Sequence, residues 1–202
     1  MSDIKQITVS GTIKEGIGIG FKNIGPILVN LVLWVITLWI PYLNVGTTIG
    51  MFVGIIAKAS RDEAIPMTEI FNGKYRKYMG EFFLTSGLVG LGVSIGFVFM
   101  VIPGIIISIA WFFAVLIVID KGKNPSEAIT LSNNATYGNK GKIFGVLFLV
   151  CLIASVIMSL LIVAFVNGAY FVIIFIIALM LLMMFFVIGI QASLYKQLTS
   201  DI

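Results

Sequence analysis

The side chains of this chain that could do chemistry are few and lie outside its apolar runs. Asp120 and Glu127 flank Lys121, Lys123, Asn124 and Pro125, and acids at this spacing could serve an enzyme acting on lipid head groups. The rest of the sequence weighs against that use. Catalysis needs titratable or nucleophilic groups held together. The chain has no histidine, and its 9 acids lie in the tail, the linkers and the edges of the apolar runs. No Asp or Glu spacing resembles a metal or phosphate site. The single cysteine, Cys151, sits within an apolar run and supplies neither a disulfide nor a Cys-based metal site. The expectation is a non-enzymatic chain with no cofactor and no metal.

The elements that carry these residues are apolar on a scale no soluble fold tolerates. Hydrophobic residues make up 59% of the 202 positions and charged residues 11%, against about 25% charged in soluble domains. This predicts an all-α integral membrane protein, with residues 1–202 forming a single polytopic membrane domain. A net charge of +4 is too small and too scattered for a nucleic-acid partner. Lysines beside apolar segments do suit anionic membrane lipids. Lys5, Lys14 and Lys22 precede no apolar core of signal-peptide length, so the first span is expected to act as its own insertion signal.

Residues 82–119 contain no charged side chain and are divided by Pro103-Gly104. A bilayer core takes roughly 20 helical residues, so this run makes two spans. Residues 143–190 are divided in the same way by Asn167-Gly168, and residues 23–57 by Pro41 with Tyr42 and Asn44. Both halves of 23–57 are short for a crossing. Either the first half recruits the preceding segment, where Gly16, Gly18 and Gly20 weaken the helix, or the hairpin is re-entrant. Two spans are expected, because turn backbone exposed to lipid at mid-membrane leaves polar groups unsatisfied. The result is six transmembrane helices as three hairpins, with linkers at 58–81 and 120–142. The turn centres Pro41, Pro103 and Asn167 stand 62 and 64 positions apart, a period that suggests repetition.

Ile70, Phe71, Tyr75, Tyr78, Met79 and Phe82 share a helical face in the first linker. They predict an amphipathic helix after Pro66, lying on the membrane or packed on the bundle. In the second linker Asn124 can cap a helix with Pro125 at its first position and Glu127 at its third, running to about Thr136. Lys and Arg gather on the cytoplasmic side of membranes. The six-span layout puts every charge on one side, so both termini and both linkers are expected on the cytoplasmic face of the plasma membrane. Tyr42 and Tyr170 would mark the outer boundary, and Tyr75, Tyr78, Tyr137 and Tyr195 the inner one.

Lys74, Tyr75, Arg76, Lys77, Tyr78, Lys140 and Lys142 are the candidate contacts with anionic lipid. Gly46, Gly50 and Gly54, and then Gly92 and Gly96, recur every fourth position and permit close helix approach. That approach could occur inside one bundle or between copies in a homo-oligomer. Asn30 is the best candidate for a buried polar contact.

The run Ile102-Pro103-Gly104-Ile105-Ile106, with Asp120, Glu127-Ala128-Ile129, Ser132, Gly138-Asn139-Lys140 and Phe144, resembles a known membrane family. It is similar to the membrane domain attached to some bacterial glycerophosphodiester phosphodiesterases, and to that domain's stand-alone relatives. The resemblance covers about 45 residues around the central hairpin and implies a six-span module linked to membrane lipid or envelope upkeep. The soluble catalytic domain of those enzymes is absent from this sequence, so their activity does not carry over. Pro103, Gly104, Asp120 and Glu127 are expected to act structurally, closing a turn, ending a span and starting a linker helix. The expected function is a membrane protein that self-associates and organises or supports the lipid membrane. The alternative is a passive or accessory transport component with a weakly polar path between hairpins.

Overall fold

The computed structural model describes residues 6–168 and 170–200. Regular structure among them is entirely helical. Asp3, Lys5 and Asp201, which the expected one-sided charge distribution includes, lie outside the described residues. In chain order the helices are α1 (Val9–Lys22), α2 (Ile24–Thr37), α3 (Leu43–Ser60), α4 (Gly73–Lys77) and α5 (Met79–Phe99). They are followed by α6 (Val101–Lys121), α7 (Pro125–Thr136), α8 (Lys140–Val166) and α9 (Tyr170–Thr199). Five of them, α3, α5, α6, α8 and α9, are long and apolar enough to cross a membrane. A sixth crossing would have to be assembled from α1 and α2, which meet at a 71° bend. These helices are compatible with a multi-pass membrane protein.

Two turns fall where turn chemistry demands. Tyr42, after Pro41, takes a φ of 69°, and Gly168, after Asn167, one of 67°. The central turn lies elsewhere. It is made by the extended residue Met100, while Pro103 and Gly104 belong to the first turn of α6. A helix tolerates proline there because the missing N–H would have had no partner. Gly104 instead faces α5, where a Cβ on Gly96 would stand 3.0 Å from its Cα.

The first linker also departs from expectation. It forms a 3-10 turn, Glu69–Phe71, and then the five-residue α4, with Asn72 between them in an extended conformation. The Asn72 side chain caps α4 through Lys74 N. Asn72 thus ends one short element and starts the next, so the apolar positions never share a continuous helix face. The second linker forms α7, with Asn124 Oδ1 accepting from Glu127 N at 2.9 Å and Pro125 in the first turn.

Burial divides the molecule in two. In α3 67% of the residues are buried, whereas in the most apolar 18-residue stretches of α5 and α8 only 11% are. The main core joins α3 to the second half of α6, α7, the start of α8 and the last third of α9. α1 runs antiparallel to that last third, with Thr12 reaching Gln197 and Gly20 lying against Phe185. Gly16 and Gly189 let the two backbones touch. A smaller cluster around Ile157, Ala164 and Ile176 holds the far ends of α8 and α9 together.

α6 is interrupted at Trp111–Phe113. The buried Ser132 of α7 bridges the gap, accepting from Phe113 N at 3.1 Å and donating to Ala110 O at 2.8 Å. A side chain inserted in the ladder is a known cause of helix kinks, and here it supplies the missing partners.

Candidate functional site

The charged end of the molecule is a polar clasp built from residues far apart in sequence. Its deepest part begins on α3, where Gly50–Gly54 form one turn of π-helix. Gly50 and Gly54 leave a bare groove, and the ring of Tyr75 fills it. A Cβ on Gly54 would overlap the Tyr75 hydroxyl, and one on Gly50 would stand 2.7 Å from the Cα of Ile70. Tyr75 donates to Glu69 Oε1 at 2.5 Å, and Lys58 donates to Glu69 Oε2 at 2.7 Å. The Glu69 side chain is only 2% exposed. A carboxylate buried this far requires both partners. Burial, and then the Glu69 hydrogen bond, push the Tyr75 phenol well above its ordinary value.

Beside this pair stands Asp120, at the end of α6. Its Oδ1 bonds Arg61, its Oδ2 accepts from the Tyr195 hydroxyl at 3.0 Å, and its side chain is 4% exposed. Lys74 donates to the Asp120 carbonyl at 3.4 Å. Arg61 also pairs with Glu63 at 2.5 Å. The Glu63 and Asp120 hydrogen bonds raise its already high pKa further and keep it charged. Lys58, Arg61, Glu69, Asn72, Lys74 and Asp120 line a small open cleft.

A second set of ion pairs ties the helix ends together. Asp62 bonds Lys22 at 3.1 Å and Lys196 at 3.0 Å, and Lys196 also reaches Glu15 at 3.2 Å. Glu15 accepts from Ser193 at 2.9 Å and from Gln197 at 2.6 Å. Asn30, fully buried on α2, donates to Pro26 O and Pro66 O and accepts from Ile70 N at 3.1 Å, which holds the first linker against the hairpin. No buried side-chain nitrogen or oxygen among the described residues lacks a partner.

The lipid candidates separate into two groups. Lys74, Arg76 and Lys77 are exposed and Tyr78 is half-buried, whereas Tyr75 is 4% exposed and lies in the core. Tyr195 is buried as well, so neither of these tyrosines belongs to an aromatic belt. Both are held by carboxylates instead. Lys140 donates to Asn133 at 3.0 Å and Lys142 bonds Gln6.

The glycine rows meet their own chain. Gly46 carries the Arg76 side chain, Gly50 and Gly54 carry Tyr75, and Gly92 carries the ring of Trp111. Asp120 has both carboxylate oxygens engaged, and Glu127 pairs with Lys123 at 2.7 Å. No group of three or more Asp, Glu, Cys or His among the described residues could hold a metal ion.

Glu69, Lys58, Arg61 and Tyr195 stand at the centre of the clasp without having been candidates from sequence. The available signal was Glu69 itself, a lone acid placed directly before the apolar pair Ile70-Phe71.

No family model, curated protein or solved structure matches the chain.

Proposed function

We propose that the chain is a non-enzymatic, multi-pass protein of the plasma membrane that self-associates and organises the lipid around it. In this reading the clasp, both linkers and both termini lie at the cytoplasmic face, and the chain forms three hairpins. The observation that carries it is segregation. Long-range pairs such as Arg61–Asp120 and Lys196–Asp62 gather the charged ends of α3, α6 and α9, and Glu15 and Lys22 of α1 join the same set, while α5, α8 and the first two thirds of α9 present apolar side chains outward. Lys74, Arg76 and Lys77 are exposed beside the clasp and suit anionic head groups.

Self-association is assigned to α5. Nothing lies within 4 Å of where a Cβ would stand at Gly80, Gly87 or Gly90, and Ser94 is exposed on the same side. This open face, unlike the occupied rows on α3, admits another helix. A solute path would need polar groups that face one another across the spans. Ser108, Ser155 and Ser159 instead donate to carbonyls of their own helices at 2.8 Å. The likeness of the Pro103 to Phe144 region to the phosphodiesterase-associated membrane domain is part of this proposal and agrees with a role in lipid upkeep.

Native mass spectrometry of the purified protein tests the lipid part. Phosphatidylglycerol adducts are expected on the wild type and a several-fold loss of them in the triple variant Lys74→Ala, Arg76→Ala, Lys77→Ala. Equal retention of phosphatidylcholine and phosphatidylglycerol would contradict it.

A further inference from the structure

The first hairpin has the wrong neighbours for a pair of spans. Arg76 of the first linker lies against α3 near its start, its Cγ 2.7 Å from where a Cβ of Gly46 would stand. Lys58 and Arg61 stand at the other end of the same helix. From Gly46 to Lys58, α3 rises about 18 Å. If α3 crossed the bilayer with Lys58 at the cytoplasmic surface, the Arg76 guanidinium would sit deep in hydrocarbon, beyond the reach of snorkelling.

The other arm of the hairpin makes the same point. Asn30, midway along α2, holds Pro66 O at 2.8 Å and Ile70 N at 3.1 Å. Residues 61–68 of that linker are non-helical and exposed except for Ile65. Irregular backbone of this kind does not face lipid tails. α2 itself has 14 residues, about 21 Å of helix against a core of about 30 Å. Its 71° bend from α1 keeps α1 from extending it in a straight line.

We infer that α2 and α3 form a wedge that enters the cytoplasmic leaflet by its tip and returns, so that neither helix crosses. Trp39 is 89% exposed at that tip, alongside exposed Leu38, Ile40 and Tyr42. Lys74 stands at its base beside Asp120, and Arg76 lies against Gly46 about one turn from the tip, so that entry is shallow and anionic head groups complement both. The hairpin is held shut by Thr37 Oγ1–Thr47 Oγ1 at 2.9 Å and Trp34 Nε1–Thr48 Oγ1 at 2.9 Å. Its partner is the inner leaflet of an anionic membrane. The inference rests on the cytoplasmic placement of the clasp proposed above.

Single cysteines on a Cys151→Ala background test it in intact cells and in proteoliposomes. Trp39→Cys and Asn167→Cys both lie at exposed turn positions, so the fold is retained. A membrane-impermeant maleimide added outside is expected to label Asn167→Cys and to leave Trp39→Cys unlabelled. A nitroxide on Trp39→Cys is expected to be relaxed by oxygen and shielded from aqueous nickel chelate, as in hydrocarbon. Labelling of Trp39→Cys from outside, to the same extent as Asn167→Cys, would overturn the wedge. If Asn167→Cys is not labelled from outside, the proposed orientation fails by itself and the nitroxide still decides the wedge. Oxygen-accessible supports it, and nickel-accessible overturns it.

Discussion

Tyr75 donates to the carboxylate of Glu69 across 2.5 Å, against a helix surface that Gly50 and Gly54 leave bare. A linker tyrosine, a buried acid and a glycine row 21 and 25 positions before the tyrosine therefore form one unit. Gly54→Ala places a methyl group on the Tyr75 hydroxyl, which Glu69 holds in position. Overpacking of this kind costs about 1–3 kcal/mol. Tyr75→Phe removes the hydroxyl and leaves Glu69 Oε1 only the long bond from Asn72 Nδ2 at 3.5 Å, again at a cost of about 1–3 kcal/mol. Thermal unfolding in detergent checks both. The two losses are expected to be less than additive in the double variant, because they act on one contact.

Asn30→Ala should release the linker rather than alter a transport path. It removes the partners of Pro66 O and Ile70 N together. Hydrogen exchange over residues 65–72 is expected to rise at least tenfold, while exchange in α8 stays unchanged.

The surface ion pairs set the response to acid. The Lys196 and Lys22 hydrogen bonds hold Asp62 below its ordinary 3.8, and the Arg61 hydrogen bond holds Glu63 below its ordinary 4.5. Each carboxylate is lowered on folding, so its contribution is present above its ordinary value and is lost as pH falls through the folded one. The Asp62 side chain is 49% exposed, and solvent screening keeps its share below about 1 kcal/mol. Asp62→Asn is expected to unfold at a slightly lower temperature at pH 7 and to converge with the wild type below pH 3.8. High salt at pH 7 should narrow the same difference.

Substitutions along α5 should split by face. Gly92→Leu would strike the Trp111 ring and Gly96→Leu the backbone of Gly104, so both are expected to lower folding yield. At Gly87 and Gly90 an added Cβ meets nothing within 4 Å, so the leucine of Gly87→Leu or Gly90→Leu points into open space. These two are expected to keep the unfolding temperature and to weaken assembly, as read by crosslinking in membranes.

Local signals in the sequence were reliable where the physics was local. Asn124, Pro125 and Glu127 define the start of α7 because a cap, a fixed φ and a first-turn acid act within a few residues. Pro41 and Gly168 mark their turns for the same reason. Pro103 misled because proline suits both a turn and the first turn of a helix, and here Met100 turns the chain three residues earlier. The clasp was hidden because Asp120 meets Arg61 and Tyr195 across 59 and 75 positions. Gly16 and Gly20 resembled helix weakeners until Gly189 of α9 supplied the surface they fit.

The mass of the assembly extracted directly into native-lipid nanodiscs tests the central claim, that this is a self-associating membrane organiser. The expected result is a discrete multiple of 22.0 kDa with retained anionic phospholipid, reduced to one copy by Gly87→Leu with Gly90→Leu. A single 22.0 kDa copy in the wild type, across the range of membrane densities, would contradict it.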